Sequence, residues 1–143
     1  MKTVQQMLDA KPSQIFSVTE DSSVLSGLQY MMERNISALL IVENKILTGI
    51  FTERDYARKI ILHGKSSAET TIKEVMTADP ITVLPKDSID LCMKIMTDKH
   101  IRHLPVMAAN GELLGMVSIG DVVKFIIADQ RQTISQLENY ISS

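Results

Sequence analysis

The chain has 143 residues, 45% of them hydrophobic and 22% charged, and its formal net charge is −2. This composition is typical of a soluble globular protein and excludes a strongly basic surface of the kind that binds nucleic acid or an anionic membrane. No apolar stretch approaches the ~20 residues of a membrane-spanning helix and no secretory signal is visible, so we expect a cytoplasmic protein without membrane or nucleic-acid partners.

The first half of the chain predicts a helix, a short strand, a second helix, a β-hairpin and a further helix. Asp21, Ser22 and Ser23 are favourable N-cap residues, and apolar residues recur behind them at helical spacing. The predicted positions are 4–8 for the opening helix, 16–18 for the first strand, 25–32 for the second helix, 38–42 and 46–51 for the hairpin strands, and 52 onward for the last helix. The polar segment 63–71 predicts a linker.

The second half predicts the same order of elements. Thr71 is a suitable N-cap for the leading helix, and Asp79-Pro80 ends it. The predicted positions are 72–76 for this helix, 81–83 for the first strand, 87–96 for the central helix, 104–107 and 113–117 for the hairpin strands around Asn110-Gly111, and 118 onward for the last helix. The single cysteine, Cys92, excludes an internal disulfide and is predicted to be packed in the central helix.

The two halves are copies of one unit. The segment 49–55 has the pattern Gly, two apolar residues, Thr or Ser, two variable residues and Asp, and the segment 115–121 repeats it 66 residues later. Repeats of this length predict two copies of a small α/β module, at 4–64 and 72–130, with a linker at 65–71 and a C-terminal helix extension at 131–143. Because a unit of ~60 residues buries only about 60% of its unfolded surface, we expect the copies to share a core.

The C-terminal extension carries an apolar stripe. Ile127, Ile134 and Ile141 are seven residues apart, with Leu137 between them. This spacing favours a docking or dimerising helix, while the alternative is a helix that packs back on its own domain. The stripe has too few heptads to predict a coiled coil.

The repeated motif has two interpretations. Thr52-x-x-Asp55 and Ser118-x-x-Asp121 both fit a helix capping box, which is common and implies no ligand. The alternative is an anion site, because a strand leads directly into each helix N-terminus, where free N–H groups favour negative charge. Asp can also accept hydrogen bonds from ribose hydroxyls, and Thr or Ser can donate to phosphate.

Two further features favour a ligand over the cap alone. Gly49 and Gly115 lie three residues before each hydroxyl and permit close approach, which a cap does not require. Arg54 and Arg58 share a helix face and, with Arg102 and His103, could neutralise a phosphate group. The alternative is a solvated basic surface beside the neighbouring acidic residues.

The ordered set of motifs resembles a tandem pair of cystathionine-β-synthase (CBS) domains, from about Val4 to about Gln130. The resemblance rests on Met76-Thr77, on the segments 80–83 and 102–106, and on the Gly-x-x-Ser-x-x-Asp ending. The first copy matches less well, because Ala38-Leu39-Leu40 stands where the second copy has His103-Leu104-Pro105.

The resemblance implies an α/β fold, in which two tandem β-α-β-β-α CBS repeats pack with pseudo-twofold symmetry as a Bateman-type module. It also implies two clefts between the repeats that bind an adenosine-containing ligand. Asp55 and Asp121 would hold ribose, Thr52 and Ser118 would hold phosphate, the strand with Thr82 and Val83 would border adenine, and Pro105 would line the pocket wall. Arg54, Arg58, Arg102 and His103 complete the predicted ligand-binding set.

The function implied is that of a non-catalytic sensor of adenine nucleotides, with AMP or ATP expected first and ADP, NAD and S-adenosylmethionine as further candidates. A homodimer, a separate regulated protein and no required metal are expected from the same resemblance. Two other classes stay open. One is a structural interaction module without a ligand. The other is a small nucleotide-acting enzyme with His103 or Asp121 as base, which the lack of a grouped acid–base pair argues against.

Overall fold

The chain folds into two similar α/β units joined in tandem, as seen in a computed structural model that describes residues 2–11 and 15–142. A short helix at Glu53–Asp55 continues directly into a π-helical turn at Tyr56–Ile61. The helices are α1 (Val4–Asp9), α2 (Val24–Arg34), α3 (Glu53–Asp55), α4 (Ile72–Val75), α5 (Ile89–Lys99) and α6 (Ile119–Ser142), and the strands are β1 (Ser17–Val18), β2 (Ala38–Glu43), β3 (Ile46–Thr52), β4 (Thr77–Ala78), β5 (His103–Met107) and β6 (Leu113–Ser118).

The first repeat is built on a sheet with strand order β1-β2-β3-β4. β1 runs parallel to β2, and the β2–β3 hairpin is antiparallel. Asn44 and Lys45 both have positive φ, 49° and 66°, at the hairpin turn. Two consecutive residues with positive φ are typical of the tight turns that match the twist of a hairpin.

The second repeat has the equivalent arrangement in a reduced form. β5 and β6 are antiparallel, and Val83 forms a single parallel bridge with Val106 in the place that β1 takes beside β2. Each hairpin also changes register at the equivalent point, between Ile41 and Val42 in the first repeat and between Val106 and Met107 in the second. The duplication therefore extends to backbone irregularities, and the predicted pseudo-twofold α/β fold is confirmed.

The central helices begin at the predicted N-cap signals and end at left-handed residues that were not predicted. Ser23 accepts a hydrogen bond from the N–H of Ser26 and Ser88 accepts one from Leu91, so each serine caps its helix. α2 ends at Asn35 and α5 at His100, both in the left-handed conformation. Such residues stop a helix and turn the chain into the following strand.

Three predicted elements differ in the structure. The strand expected at 81–83 is reduced to the bridge at Val83, because Val83 alone makes sheet contacts there. The leading helix of the second repeat ends at Val75, and Thr77–Ala78 instead forms the unpredicted strand β4, which pairs with Gly49 and Ile50. The helix after Thr52 changes to π geometry at Tyr56. Long-range pairing, which local periodicity does not encode, decides the first two of these differences.

The two leading helices exchange places between the cores. α1 contributes Val4 and Met7 to the core of the second repeat, and α4 contributes Ile72 and Val75 to the core of the first. Matching backbone hydrogen bonds hold them, from Val4 N to the carbonyl of Asp87 (2.9 Å) and from Ile72 N to the carbonyl of Ser22 (2.8 Å). A third cluster, formed by Ala38, Leu40 and Ile50 with Leu47, Leu113 and Met116, lies where the two hairpins face each other.

The last helix, α6, continues past the body of the molecule. Val122 is buried, and Phe125 and Ile126 pack against the second core, whereas every residue from 131 to 142 is exposed. Within the described residues, no helix is both long enough and apolar enough to cross a membrane.

Candidate functional site

Two clefts open between the repeats, and each is lined by the motif of one repeat and by the helix-to-strand junction of the other. The first cleft measures about 830 Å³ and the second about 840 Å³, both within the range of small-molecule sites. The first is lined from Thr52 to Arg58 on one side and from Lys99 to His103 on the other. The second is lined by Ser118 and Asp121 on one side and by the 35–38 segment on the other.

In the first cleft, the motif forms the predicted capping box. Thr52 Oγ1 accepts a hydrogen bond from Asp55 N (3.2 Å), and Thr52 N donates to Asp55 Oδ2 (3.0 Å). Lys59 makes an ion pair with Asp55 Oδ1 (3.2 Å) and also donates to the carbonyl of Val75 (2.8 Å). The Asp55 carboxylate is therefore charge-compensated and held rigidly at the cleft wall, and its weakest contact is the one from Thr77 Oγ1 at 3.5 Å.

Cationic groups from both repeats converge on the first cleft. Arg54 donates from Nη1 to the carbonyl of His100 at the end of α5 (2.8 Å), so this arginine ties the repeats together. Arg58 and Arg102 also line the cleft, and among the described residues neither side chain makes a hydrogen bond or ion pair. Two guanidinium groups without a protein partner are suited to bidentate binding of an anion.

The first cleft also has an apolar wall and acidic neighbours. Ile50, Pro80, Ile81 and Ile101 provide flat apolar surface beside the cationic groups. Glu53 and Asp79 partly offset the positive charge. A site with a small apolar wall and a few convergent charges fits an amphipathic ligand better than a purely inorganic ion.

In the second cleft, the motif makes the same reciprocal contacts. Ser118 N donates to Asp121 Oδ2 (2.9 Å), and Asp121 N donates to Ser118 Oγ (3.1 Å). Lys11 bridges Asp121 Oδ2 (2.8 Å) and the carbonyl of Met116 (2.7 Å). Burial tends to raise the pKa of Asp121, but the hydrogen bonds from Lys11 and Ser118 outweigh it, and the net pKa lies below 3.8. Asp121 is therefore an anionic acceptor at neutral pH.

More apolar side chains line the second cleft than the first. Its cationic groups are Lys11 and Lys124, and the shared His103 also lines it. The rest of its wall includes Phe16, Leu28, Met31, Met32 and Ile36. The equivalent positions of Arg58 and Lys124 conserve a positive charge, whereas Gly120 stands where the first repeat has Arg54. The second cleft therefore has less capacity to hold a multiply charged group.

His103 lies between the clefts and lines both of them. Its Nε2 is 3.0 Å from Ser37 Oγ of the other repeat. The pKa of His103 is lowered, mainly because burial disfavours the imidazolium; Asp121 opposes this effect and Arg102 adds to it. A neutral imidazole at this position links the two repeats by a hydrogen bond without placing a further charge between them.

Three predicted site residues lie outside both clefts. Val83 is buried in the second core, Pro105 is buried within β5, and Thr82 is exposed, and none of the three lines either cleft. The expected contacts of Thr82 and Val83 with adenine, and the place of Pro105 in the pocket wall, stay predictions. Pro80 and Ile81 border the first cleft instead. They follow shortly after β4, whose pairing with β3 brings this part of the chain to the cleft.

Some lining residues were missed by sequence reasoning. Lys124 has a detectable signal, since it repeats Arg58 at the 66-residue offset. Lys11 and Lys99 carry no such signal, because the exchange of α1 and the end of α5 bring them to the clefts.

Protein atoms occupy the space beside the two motif glycines. A Cβ at Gly49 would lie 2.5 Å from Met76 Sδ and 3.0 Å from the carbonyl oxygen of Thr77. A Cβ at Gly115 would lie 3.2 Å from Leu8. The glycines therefore accommodate the exchanged segments α4–β4 and α1, and they are no evidence for close approach of a ligand.

Neither the histidines nor the cysteine forms an additional site. In residues 2–11 and 15–142, no group of three or more His, Cys, Asp or Glu side chains could hold a metal ion. Cys92 is buried as predicted, and burial raises the pKa of its thiol to about 11, with Asp87 adding to the effect. A thiol in this state is not a nucleophile at neutral pH.

Comparison with known proteins supports the same interpretation of the repeats. A family model described as CBS domain matches residues 11–62 and 72–128. The CBS domain-containing protein CBSX3, mitochondrial, of Arabidopsis thaliana is 42% identical over 128 residues, which are 86% of this chain and 62% of that protein. The chain thus spans less than two thirds of that relative's length.

Solved structures share the fold. A protein of Burkholderia ambifaria MC40-6 with CBS domains is 47% identical, with a TM-score of 0.87 over 90% of this chain and 96% of that chain. The CBS domain protein PAE2072 of Pyrobaculum aerophilum, complexed with AMP, is 23% identical, with a TM-score of 0.74 over 83% of this chain and 88% of that chain. With two matched copies that cover most of its length, the chain belongs to the CBS domain family.

Proposed function

We propose that this protein is a non-catalytic regulatory module that binds an adenine nucleotide between its CBS repeats and signals occupancy to a separate partner protein. The observation that supports this most directly is the first cleft. There the capped helix start at Thr52 and Asp55 faces Arg58 of the same repeat and Arg102 of the other. AMP and ATP are the expected ligands, and the AMP complex of PAE2072 supports this choice by fold alone.

The ligand would use the charged and apolar parts of the cleft separately. Phosphate oxygens would contact Arg58, Arg102 and the N–H groups at the start of α3, since this helix start and the guanidinium groups both favour an anion. A ribose hydroxyl would donate to Asp55 Oδ1 in place of the long contact from Thr77. The base would pack against Pro80 and Ile81.

Signalling requires two arrangements of the repeats with different affinity for the nucleotide. The Arg54–His100 and Ser37–His103 hydrogen bonds are two contacts between the repeats at the wall of the first cleft. A phosphate that attracts Arg54 away from the carbonyl of His100 would release one of these two contacts. The energy or cofactor level of the cell would then bias the relative position of the repeats.

The experiment that tests this function is calorimetric titration of nucleotide-free protein with AMP, ADP, ATP, NAD and S-adenosylmethionine. The titration is repeated with Asp55→Asn and Asp121→Asn, which remove one carboxylate charge from each cleft. Saturable binding that is lost in Asp55→Asn and retained in Asp121→Asn is expected. Lys94→Ala is a matched control, because Lys94 is exposed on α5 outside both clefts.

Other results would select the other classes of function. If none of the five compounds binds, the chain is better described as an interaction module without a nucleotide. If AMP or ADP accumulates during incubation with ATP, the chain is an enzyme. Binding unaffected by either Asp variant would reduce the repeated motif to a helix cap.

Assembly and location belong to the same proposal. We place the protein in the cytoplasm as a homodimer without a required metal, acting on a regulated protein that is a separate chain. Size-exclusion chromatography with light scattering, with and without AMP, measures the assembly. A monomer under both conditions would contradict the homodimer.

A further inference from the structure

The outer half of α6 presents an apolar seam that no part of the described chain covers. Ile134, Leu137 and Ile141 are 54%, 57% and 82% exposed, and they continue a line that begins at Ile127. At 100° per residue these side chains and Gln130 fall within an arc of about 80°. The buried Val122 lies about 100° around the same helix from the centre of the seam, so the seam faces away from the core contact of Val122.

The seam has the residue types of a two-stranded helix pair. Isoleucine stands at the first position of each heptad, at 127, 134 and 141, and Leu137 stands at the fourth. Apolar residues at the first and fourth heptad positions form the contact seam between paired helices. Outside the seam, every residue from 131 to 142 except Tyr140 is polar or charged, which confines the apolar contact to one helix-sized partner surface.

Charges beside the seam decide the orientation of the pair. Arg131 and Glu138 lie on the same flank, two turns or about 10.5 Å apart, which is too far for an ion pair within one helix. No ion pair in the described residues involves either of them. They are thus available to a partner that presents the opposite charges at the same separation.

A second copy of this chain presents that pattern when the helices run antiparallel. With Ile134 opposite Leu137 of the second copy, the twofold relation also places Arg131 beside Glu138 of the second copy, and the pair occurs twice. In a parallel pair the flanking positions would instead place Arg131 beside Ile126 and Glu138 beside Thr133, so neither charge would be matched.

We propose that the outer half of α6, residues 131–142, is a homotypic docking surface that pairs antiparallel with the same segment of a second chain, with Ile134 against Leu137 and Arg131 against Glu138. The contact is independent of nucleotide binding, because neither the seam nor the two charges line a cleft. It adds to any association through the body of the module.

Disulfide trapping tests the orientation in the full-length protein. Chains with Gln130→Cys and chains with Ile141→Cys are mixed in equal amounts and oxidised, and the products are identified by intact mass. Cys92 can remain, because it is buried. The antiparallel pair places position 130 opposite position 141, so the mixed disulfide is expected to dominate. Dominance of the disulfide between two Ile141→Cys chains would show a parallel pair and overturn the proposal.

Charge exchange tests the same contact without cysteines. Arg131→Glu or Glu138→Arg alone is expected to weaken self-association by about tenfold, since two attractive pairs become repulsive. The double variant Arg131→Glu with Glu138→Arg is expected to restore it, which a folding defect would not do. Sedimentation equilibrium provides the dissociation constants. Single charge variants that associate like the parent chain would overturn the proposal. In the trapping experiment, Asn139→Cys lies on the opposite face of α6 and serves as the control. The proposal would also be overturned if Asn139→Cys formed disulfides as readily as the Gln130→Cys and Ile141→Cys pair.

Discussion

The two motif aspartates, Asp55 and Asp121, occupy equivalent positions in the two repeats, but their carboxylates differ in the hydrogen-bond acceptor capacity that remains free. The Asp55 carboxylate receives contacts from Thr52, Lys59 and Thr77 that engage both oxygens. The contacts of the Asp121 carboxylate, from Lys11 and Ser118, all go to Oδ2. A carboxylate has about four lone-pair sites, so Asp121 keeps more free acceptor capacity while Asp55 lies in the more cationic cleft.

Arg58 and Lys124 form a matched pair that tests which cleft holds phosphate. If the phosphates lie in the first cleft, Arg58→Ala should weaken ATP binding on the order of tenfold or more, because a hydrogen bond to a charged group is lost. Lys124→Ala should leave ATP affinity within about twofold, since it changes only the second cleft. Calorimetric titration measures both, and a larger effect of Lys124→Ala would move the phosphate site to the second cleft.

His103 should make the stability of the protein depend on pH. Its folded pKa lies below 6.5 because burial disfavours the charged form, so the unfolded chain takes up the proton first as the pH falls. The free energy of unfolding should therefore decrease as the pH falls from above 6.5 toward the folded pKa. His103→Gln should flatten this dependence in urea unfolding followed by circular dichroism.

The exposed His63 offers the control for that experiment. His63→Gln should keep the pH dependence of the parent protein. An unchanged slope in His103→Gln would contradict the assignment, because a buried neutral imidazole must contribute to the proton uptake of unfolding.

At the scale of elements, the function-bearing positions are the two strand-to-helix corners. β3 ends at Thr52 and β6 at Ser118, and each following helix begins with a reciprocal cap. The cap and the ligand contacts are compatible, because a cap satisfies one or two of the four free N–H groups of a helix start. The corner thus combines a structural task with an anion-favouring position.

The glycine at the first corner should tolerate no side chain. Gly49→Ala would place a methyl group against the carbonyl oxygen of Thr77 and should destabilise the protein by about 1–3 kcal/mol through overpacking. Gly120→Ala is the control, because its nearest atom would be 3.6 Å away and the residue is helical. It should stabilise by up to about 1 kcal/mol. Chemical unfolding measures the free energy of unfolding of the two variants. Equal values would contradict the crowded contact between β3 and β4.

At the scale of the whole molecule, exchange of the leading helices makes the repeats one folding unit. The first core is incomplete without α4, which follows it in the chain, and the second is incomplete without α1, which precedes the first core. Neither repeat therefore has its complete core within its own contiguous sequence. This exchange also closes the clefts, because Lys11 and Thr77, which follow the exchanged helices, line them.

A substitution of a buried residue in either exchanged helix, α1 or α4, should therefore destabilise both repeats. Ile72→Ala and Met7→Ala remove fully or almost fully buried side chains and should each cost about 2–5 kcal/mol. Each variant should still unfold in a single transition, monitored by circular dichroism in urea. Two separate transitions would indicate that the repeats fold independently.

The sequence by itself determined the duplication, the helix caps and the paired motifs. Ser23, Ser88, Thr52 and Ser118 act through contacts within three residues, so local pattern is sufficient to predict them. The same holds for the hairpins, whose turn residues are adjacent in the chain. The family resemblance follows from the order of these local signals, and the family match confirms it.

Only the tertiary structure decided which residues meet across the repeats. The exchange of α1 and α4, the β4 strand, and the contacts of Arg54 with His100 and of Ser37 with His103 join positions far apart in sequence. Hydrophobic burial drives the exchange of α1 and α4, and it is not directional, so periodicity predicts that a helix face is buried and does not predict its partner. For this reason Pro80 and Ile81, and not Thr82 and Val83, border the first cleft.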